Sequence, residues 1–315
     1  MISGRKSTRK VWNSKIVSFA CAIFILSVIL LPARTHAQDG IKLYQRQVSV
    51  GGRLPATMLI VGLQKDAKDV EKLMDIVSSK ATEAYMRLDW QNPSSDISRL
   101  NAGASQGPVQ VSEEVAHAIA EAKEVSGWTD GAFDITYAGS GNWRDINVNE
   151  GNSSIELKKP GMQLRFDNMM EGFLAELMIR YINTANMHNA MVKVGNVFRG
   201  MGQSIGGPWK IQVQDDEGTF AHHALNLTVR NAGIAAVSAS DFRAKSLIDP
   251  RSKSTITPSC KGTTIVMKNA AQAHGVAQAV FVLGPKKGYE MLTKMGKAAG
   301  LIVDDAGKFI RTPGF

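Results

Sequence analysis

Five strand-like segments between residues 189 and 268 constrain the fold more than any other feature of the sequence. They read AMVKVGNVFRGMG, PWKIQVQD, HALNLTV, GIAAVSA and TTIVMK. The next segment, NAAQAHGVAQAVFVLG at 269–284, has the apolar spacing of a buried helix. Because the strands are grouped and the helices interrupt them without strict alternation, the sequence predicts an α+β fold, with helices packed on a largely antiparallel sheet.

The rest of the chain is predicted to supply further helices and two hairpins. Residues 41–63 alternate around Gly51 and Gly52, which indicates a hairpin. The segment GLIVDDAGKFIRT is predicted to close the chain as a second hairpin. Helices are predicted from Asp66, from Ser112 to about Gly127, from about Met169 to Asn183, and from Pro285, a residue suited to a first helical turn.

The N-terminal segment has the parts of a secretory signal peptide. A basic start is followed by an apolar run from Ile16 to Leu31 and by a small residue, Ala37, at a plausible cleavage point. The alternative is an uncleaved membrane anchor, but the run is shorter than the roughly 20 residues that a spanning helix needs. We therefore expect residues 1–37 to be removed near Ala37 and a single domain, 38–315, to be exported to the periplasm.

Loss of this segment changes the charge balance of the chain. Six of the 37 basic residues and none of the 28 acidic residues lie in it, so the remainder has a net charge of about +3. That balance indicates no surface for nucleic acid. Cys260 is the single cysteine after residue 37, so stability must come from the core and not from an intrachain disulfide.

One pair of segments, PSSDISRLN at 93–101 and DGAFDIT at 130–136, is a candidate for ligand contact. In DGAFDIT a glycine stands beside an aromatic residue and a carboxylate, which lets the backbone come close to a ligand. The alternative is that Phe133 is a core residue and Asp134 a turn residue.

Three other segments each allow two interpretations. In RFDNMMEGFLAEL at 165–177, a helix N-terminus could bind a phosphate, although Glu171 would repel it. In LIDPRS, Asp249 and Arg251 fit a structural turn as well as a site. On the helix at 269–284, His274 lies one turn before Gln278, and a histidine there is more often hydrogen-bonded than metal-bound.

Taken in order, these segments resemble those of the FAD:protein FMN transferases, from about Gln45 to Phe315. The resemblance rests on PSSDISRLN, DGAFDIT, VKVGNVFRGMG, LIDPRS and AHGVAQAVFVLG. It implies an ApbE-like, T-fold-related α+β architecture. It also implies an exported protein that takes FAD as substrate, uses Mg²⁺ to polarise its pyrophosphate, transfers FMN to a threonine of an acceptor protein and releases AMP. The protein is expected to contact a membrane only through the export signal or a membrane-bound acceptor.

The resemblance assigns roles to individual positions. Catalysis is expected from Asp241 and Ser246, and metal binding from His274 and Gln278. Contact with the flavin nucleotide is expected from Trp90, Gly131, Ala132, Phe133, Glu171 and Ile248. Trp90 stands where the family has a tyrosine that contacts the flavin, so an aromatic platform is expected there.

Several of these positions depart from the family pattern. His274 replaces a metal-binding aspartate, Gln278 a threonine, and Ser246 the histidine that serves as proton acceptor. Glu171 replaces a lysine and Arg165 an aspartate. Mg²⁺ prefers hard oxygen ligands, whereas imidazole suits zinc, copper or nickel. Serine is also a poor general base at neutral pH.

Three hypotheses about function follow from this combination. The protein is a flavin transferase with rearranged ligands, or a pseudoenzyme that binds flavin without catalysis, or an exported interaction protein that has lost the ligand. The preserved segments favour the first, the substitutions at the metal and base positions favour the second, and the changed charges at Glu171 and Arg165 favour the third.

Overall fold

The structure is a computed structural model that describes residues 40–213, 225–242 and 247–315. The signal-peptide prediction for residues 1–37 and the candidate base Ser246 lie outside these residues. Within the described part of the chain, no helix is both long enough and apolar enough to cross a bilayer.

The described residues contain 15 strands and five α-helices. The strands are β1 (Ile41–Val50), β2 (Leu54–Leu63), β3 (Val109–Gln110), β4 (Ile146–Asn149), β5 (Ser154–Leu157), β6 (Ala190–Val194), β7 (Val197–Met201), β8 (Trp209–Val213), β9 (Leu225–Val229), β10 (Ala232–Ser238), β11 (Leu247–Asp249), β12 (Ser254–Ile256), β13 (Cys260–Met267), β14 (Ala299–Asp304) and β15 (Phe309–Arg311). The helices are α1 (Ala67–Leu88), α2 (Asp96–Ala102), α3 (Glu113–Trp128), α4 (Met170–Thr184) and α5 (Ala270–Met295).

An eight-stranded antiparallel sheet organises the molecule. Its strand order is β1-β2-β6-β7-β10-β13-β14-β15, so neighbours in the sheet follow the order of the chain. Strands β3, β5 and β4 form a small second sheet, and β8–β9 and β11–β12 are two-stranded. The predicted α+β class with a largely antiparallel sheet is confirmed.

The predicted first hairpin is confirmed, with pairing from Ile41 opposite Leu63 to Val50 opposite Leu54. The predicted helix starts are also close to the observed ones. Ser112 caps α3, because its hydroxyl accepts the Val115 N–H at 3.3 Å.

The C-terminal helical region is divided as the sequence predicts. Gly284 has φ 75° and ψ 176°, which is not helical, and Pro285 follows it at the start of the second half of α5. Proline has no N–H to donate, so it suits a first turn and not a helix interior.

Helices cover one face of the large sheet, and a hairpin covers part of the other. On the helical side, α5 packs against β10, β13 and β14 and also against α4, over buried side chains that include Phe173 and Phe281. On the opposite side, β8 and β9 place Trp209 and Ile211 against sheet residues such as Ile234. The candidate site residues lie on the helical side and at the strand ends around it.

Candidate functional site

The N-terminal turn of α4 packs directly against the backbone of α5. A Cβ added to Gly172 would lie 2.6 Å from the carbonyl oxygen of Ala270, 2.8 Å from the Cβ of His274 and 2.9 Å from the Cα of Ala271. Real side chains do not approach so closely, so only glycine fits at position 172. This contact brings the RFDNMMEGFLAEL segment and the AHGVAQAVFVLG segment together.

His274 and Gln278 are buried beside this contact, with 5% and 6% of their surface exposed. The N–H of Gly172 donates to His274 Nδ1 at 3.4 Å, so a neutral ring carries its proton on Nε2. Nε2 lies 3.3 Å from the Gln278 side-chain nitrogen. Gln278 Oε1 is buried and has no hydrogen-bond partner among the described residues. Exchanging the amide oxygen and nitrogen, which have the same shape, lets Oε1 accept the Nε2 proton.

The pair therefore forms a hydrogen-bonded connection between two helices, which we call the His274–Gln278 clasp. His274 Nδ1 accepts the Gly172 N–H at the start of α4, where the first backbone donors have no partner within their own helix. This is the structural alternative that the sequence allowed for His274.

The clasp does not fit Mg²⁺. It offers an imidazole and a neutral amide whose polar end faces that imidazole, whereas Mg²⁺ is usually bound through carboxylates in tight octahedral geometry. Across residues 40–213, 225–242 and 247–315, no group of three or more histidine, cysteine, aspartate or glutamate side chains is arranged to hold a metal ion. The assignment of metal binding to His274 and Gln278 stays a prediction, and the chemistry of these two donors argues against magnesium.

Glu171 lies against the turn between β6 and β7. Its Oε2 accepts the N–H of Asn196 at 3.1 Å, and its carboxyl group lies over Gly195, closer than contact distance to the position that an added Cβ would take. Gly195 has a φ of +52°, a conformation that suits glycine. Burial lowers the pKa of nearby Lys193, and the charge of Glu171 partly offsets that effect. The expected contact of Glu171 with the nucleotide remains untested.

The DGAFDIT segment is mostly structural. Ala132 and Phe133 are in the core, and the Phe133 ring packs 3.4 Å from the position that a Cβ on Gly275 would take. Asp134 accepts the N–H groups of Thr136 at 2.8 Å and of Trp143 at 2.9 Å. Burial raises the pKa of Asp134. Phe133 thus follows the core alternative and Asp134 the turn alternative, and the predicted contact of Ala132 and Phe133 with flavin stays a prediction.

The Asp249-Pro250-Arg251 turn packs against this segment. Asp249 accepts the Arg251 N–H at 3.0 Å and the Arg251 Nε at 2.9 Å, and these hydrogen bonds lower the pKa of the carboxyl. Lys253 Nζ donates to the Thr136 carbonyl at 2.8 Å. The Arg251 side chain also lies 3.6 Å from the position that a Cβ on Gly131 would take, so Gly131 faces this turn.

The other two candidates of this region are Ile248, within β11, and Asp241, just after β10. Ile248 is half-buried in β11 and pairs with Thr255. Asp241 follows β10, and its Oδ2 accepts the Ser238 N–H at 2.8 Å. The neighbouring Phe242 stacks on Phe281 of α5, with 5.1 Å between ring centroids. These contacts hold the end of β10 against the helix layer.

Trp90 belongs to a cluster of four side chains, two of which the sequence did not predict. The Arg165 guanidinium lies over the Trp90 ring, 3.9 Å from its centroid. Asp167 accepts the Trp90 indole N–H at 3.0 Å and the Tyr137 hydroxyl at 2.9 Å. Burial and the Asp167 charge raise the pKa of Tyr137. We call Trp90, Tyr137, Arg165 and Asp167 the Trp90 cluster. Its two missed members, Tyr137 and Asp167, directly follow or lie within quoted segments, which is the signal that could have found them.

Comparison with known proteins supports the resemblance. The FAD:protein FMN transferase of Escherichia coli K12 is 22% identical over an alignment of 337 residues that covers 94% of this chain and 94% of that protein. The Haemophilus influenzae FAD:protein FMN transferase is 21% identical over 287 residues, covering 78% of this chain and 81% of that protein.

Solved structures share the fold. The flavinyl transferase ApbE of Pseudomonas stutzeri, in its apo form, superposes with a TM-score of 0.74 at 19% identity over 88% of this chain and 96% of that chain. The Vibrio cholerae flavin transferase ApbE gives 0.73 at 18% identity, over 87% and 98%. The model of the ApbE family matches residues 57–142 and 139–302, which together make up most of the sequence. The chain belongs to the ApbE family.

Proposed function

We propose that this protein is an exported flavin-nucleotide-binding member of the ApbE family in which Mg²⁺-dependent transfer of FMN to an acceptor protein has been lost. FAD is the expected ligand, because the relatives are FAD:protein FMN transferases and the segments that resemble theirs occur in the same order. Under this proposal a dinucleotide would contact the Trp90 cluster and the turn at Asp249, which lie in or beside segments that resemble those of the relatives.

The observation that carries this proposal is the His274–Gln278 clasp. Transfer of FMN breaks the bond between the two phosphates of FAD, and AMP leaves with a developing negative charge. A divalent cation would neutralise that charge. The clasp supplies no carboxylate for such a cation, and its histidine already accepts the Gly172 N–H. Since removal of one electrostatic partner typically costs about 10²-fold or more in rate, we expect transfer to be slower by at least that factor.

A second candidate function is an active transferase with rearranged ligands, acting on a threonine of an acceptor protein. It is favoured by the preserved scaffold, in which Lys253 connects the Asp249 turn to Thr136. In this case the cation ligands would come from groups other than the clasp.

The experiment that separates the two measures binding and turnover on the same purified protein. FAD is titrated calorimetrically with EDTA present, and AMP release from FAD is then followed with Mg²⁺, Mn²⁺ and Zn²⁺ in turn. We expect FAD binding that EDTA leaves unchanged, and AMP release no faster than in buffer. AMP release that depends on a divalent cation would favour the transferase. Absence of FAD binding would contradict both and favour an interaction protein.

Export is part of the proposal and has its own test. Because the first 37 residues have the parts of a signal peptide, the protein recovered from the periplasm of an expressing bacterium should begin at Gln38. Intact mass and N-terminal sequencing measure this directly. A chain that begins at Met1 and remains with the membrane would instead support the uncleaved anchor.

A further inference from the structure

The Trp90 ring is held in a fixed orientation before any ligand arrives. The indole N–H of Trp90 donates to Asp167 at 3.0 Å, and the backbone carbonyl oxygen of Trp90 accepts the Ser98 hydroxyl at 3.0 Å. The second oxygen of Asp167 accepts the Tyr137 hydroxyl, so the carboxylate is itself fixed between two partners. A ring restrained at both its edge and its backbone is a ready platform for stacking, because little conformational entropy is left to lose.

One face of this platform is already covered. The Arg165 guanidinium lies 3.9 Å from the ring centroid, which is the distance of a cation–π stack. The backbone of Arg165 is held by donation of its N–H to the Ile135 carbonyl at 2.8 Å. Its Nε is buried and has no hydrogen-bond partner among the described residues. The ring therefore replaces water over part of the guanidinium and leaves Nε without a partner. The guanidinium also interacts with Tyr137, so its displacement breaks that contact as well as the stack.

The strengths of the competing contacts are similar. A cation–π contact contributes about 0.5–1 kcal/mol when exposed and about 2 kcal/mol when desolvated. Stacking of a nucleic-acid base on an aromatic side chain contributes about 1–3 kcal/mol. A planar ring of comparable size can therefore displace the guanidinium, but at a cost that lowers the apparent affinity.

We propose that Arg165 lowers the affinity for flavin by covering the Trp90 ring in competition with the isoalloxazine ring of FAD. The inference rests on the proposed function, since it names a control on the same binding site. Arg165 acts by occupying the ring face, and FAD stacks there after the guanidinium has moved away. Truncation of the side chain should then strengthen binding, although it removes a positive charge from a site for an anionic ligand.

The test compares FAD affinity of the wild type with that of Arg165→Ala. We expect the dissociation constant to fall by about 3- to 30-fold, the factor that corresponds to a cation–π contact. Arg165→Lys keeps the charge without the planar group, and it should fall between the two. Arg144→Ala is the matched control, because Arg144 lies over the Trp143 ring at 4.3 Å in a similar stack, and its affinity for FAD should equal that of the wild type.

Tryptophan emission provides a readout that does not depend on FAD. Arg165→Ala should change the indole emission of the folded protein, and the additional substitution Trp90→Phe should abolish that difference. If the wild type binds FAD and Arg165→Ala binds it equally or more weakly, the inference is wrong while the proposed function stands. If only Arg165→Ala binds FAD, the inference holds and the proposed function fails for the wild type. If neither binds, both are overturned.

Discussion

Substitution of Gly172 by alanine is expected to destabilise the protein by more than about 3 kcal/mol, the upper part of the range for overpacking a core. The added methyl group would lie 2.6 Å from the Ala270 carbonyl oxygen and 2.9 Å from the Ala271 Cα. Both are backbone atoms of α5, so relief requires that the two helices separate. The separation would also lengthen the bond from the Gly172 N–H to His274, which is already 3.4 Å. Urea unfolding followed by circular dichroism measures the loss.

Gly127 on α3 offers a matched control for this substitution. A Cβ added there would meet the Trp143 ring at 3.6 Å, which is an ordinary van der Waals distance. Alanine also favours a helix over glycine by about 1 kcal/mol, so Gly127→Ala should be neutral or slightly stabilising. Equal stability of Gly172→Ala and Gly127→Ala would show that α4 and α5 are not in rigid backbone contact.

Glu121→Gln is expected to stabilise the protein at pH 8 and to have little effect at pH 5. Burial and, to a smaller extent, the neighbouring Glu176 carboxylate raise the pKa of Glu121 to about 7. Asn269 and Arg180 favour the charged form and partly offset this. The unfolded chain has a glutamate pKa of about 4.3, so the folded state binds the proton more tightly.

The sign of the effect follows from that difference. The proton on Glu121 stabilises the folded state below about pH 4, and this contribution is lost as the pH rises to about 7. The loss is on the order of 3 kcal/mol, and the neutral amide of glutamine avoids it. Urea unfolding from pH 5 to pH 8 measures the difference between the two proteins. Glu124→Gln, at an exposed position of the same helix, should keep the wild-type pH dependence. A constant difference between wild type and Glu121→Gln across this range would contradict the assignment.

Glu121 belongs to a polar network at the start of α5 that the sequence did not indicate. Asn269 caps the helix by accepting the Gln272 N–H at 3.1 Å, and its amide nitrogen donates to Glu121. Glu176 of α4 accepts the Ala270 N–H at 2.9 Å and Arg199 Nε at 2.8 Å. Four elements that are distant in sequence therefore meet around one helix terminus, and no local pattern in the chain reports that.

The secondary structure could be predicted where it depends on neighbouring residues. The Gly51-Gly52 hairpin, the Ser112 cap and the Pro285 helix start all follow from local backbone preferences, and the structure confirms them. Strand pairing was less accessible, because four α-helices and a small sheet separate β2 from its partner β6 along the chain. The pair β8–β9 could equally have joined the large sheet, and its position over Ile234 depends on the tertiary core.

The sequence indicated which segments carry the candidate residues, but not which way their side chains point. Resemblance located the segments, and the structure brings Gly172 beside His274 and the Asp249 turn beside Gly131. The resemblance did not indicate that Glu171 would bind the turn at Asn196, or that Arg165 would cover Trp90. Side-chain direction at the start of α4 is set by contacts with other elements, which residue spacing does not encode.

The order of the large sheet has a consequence for how the chain folds. Strands β1 and β2 are joined by a tight hairpin, so they can pair early in folding. The free edge of β2 takes its partner only when β6 is available, as in the pairing of Leu59 with Met191. Until then it presents unpaired N–H and C=O groups, and closing that long loop costs entropy before the sheet gains contacts. Formation of the β2–β6 pair is therefore the expected slow step of folding, because it closes the long loop on which the rest of the sheet depends.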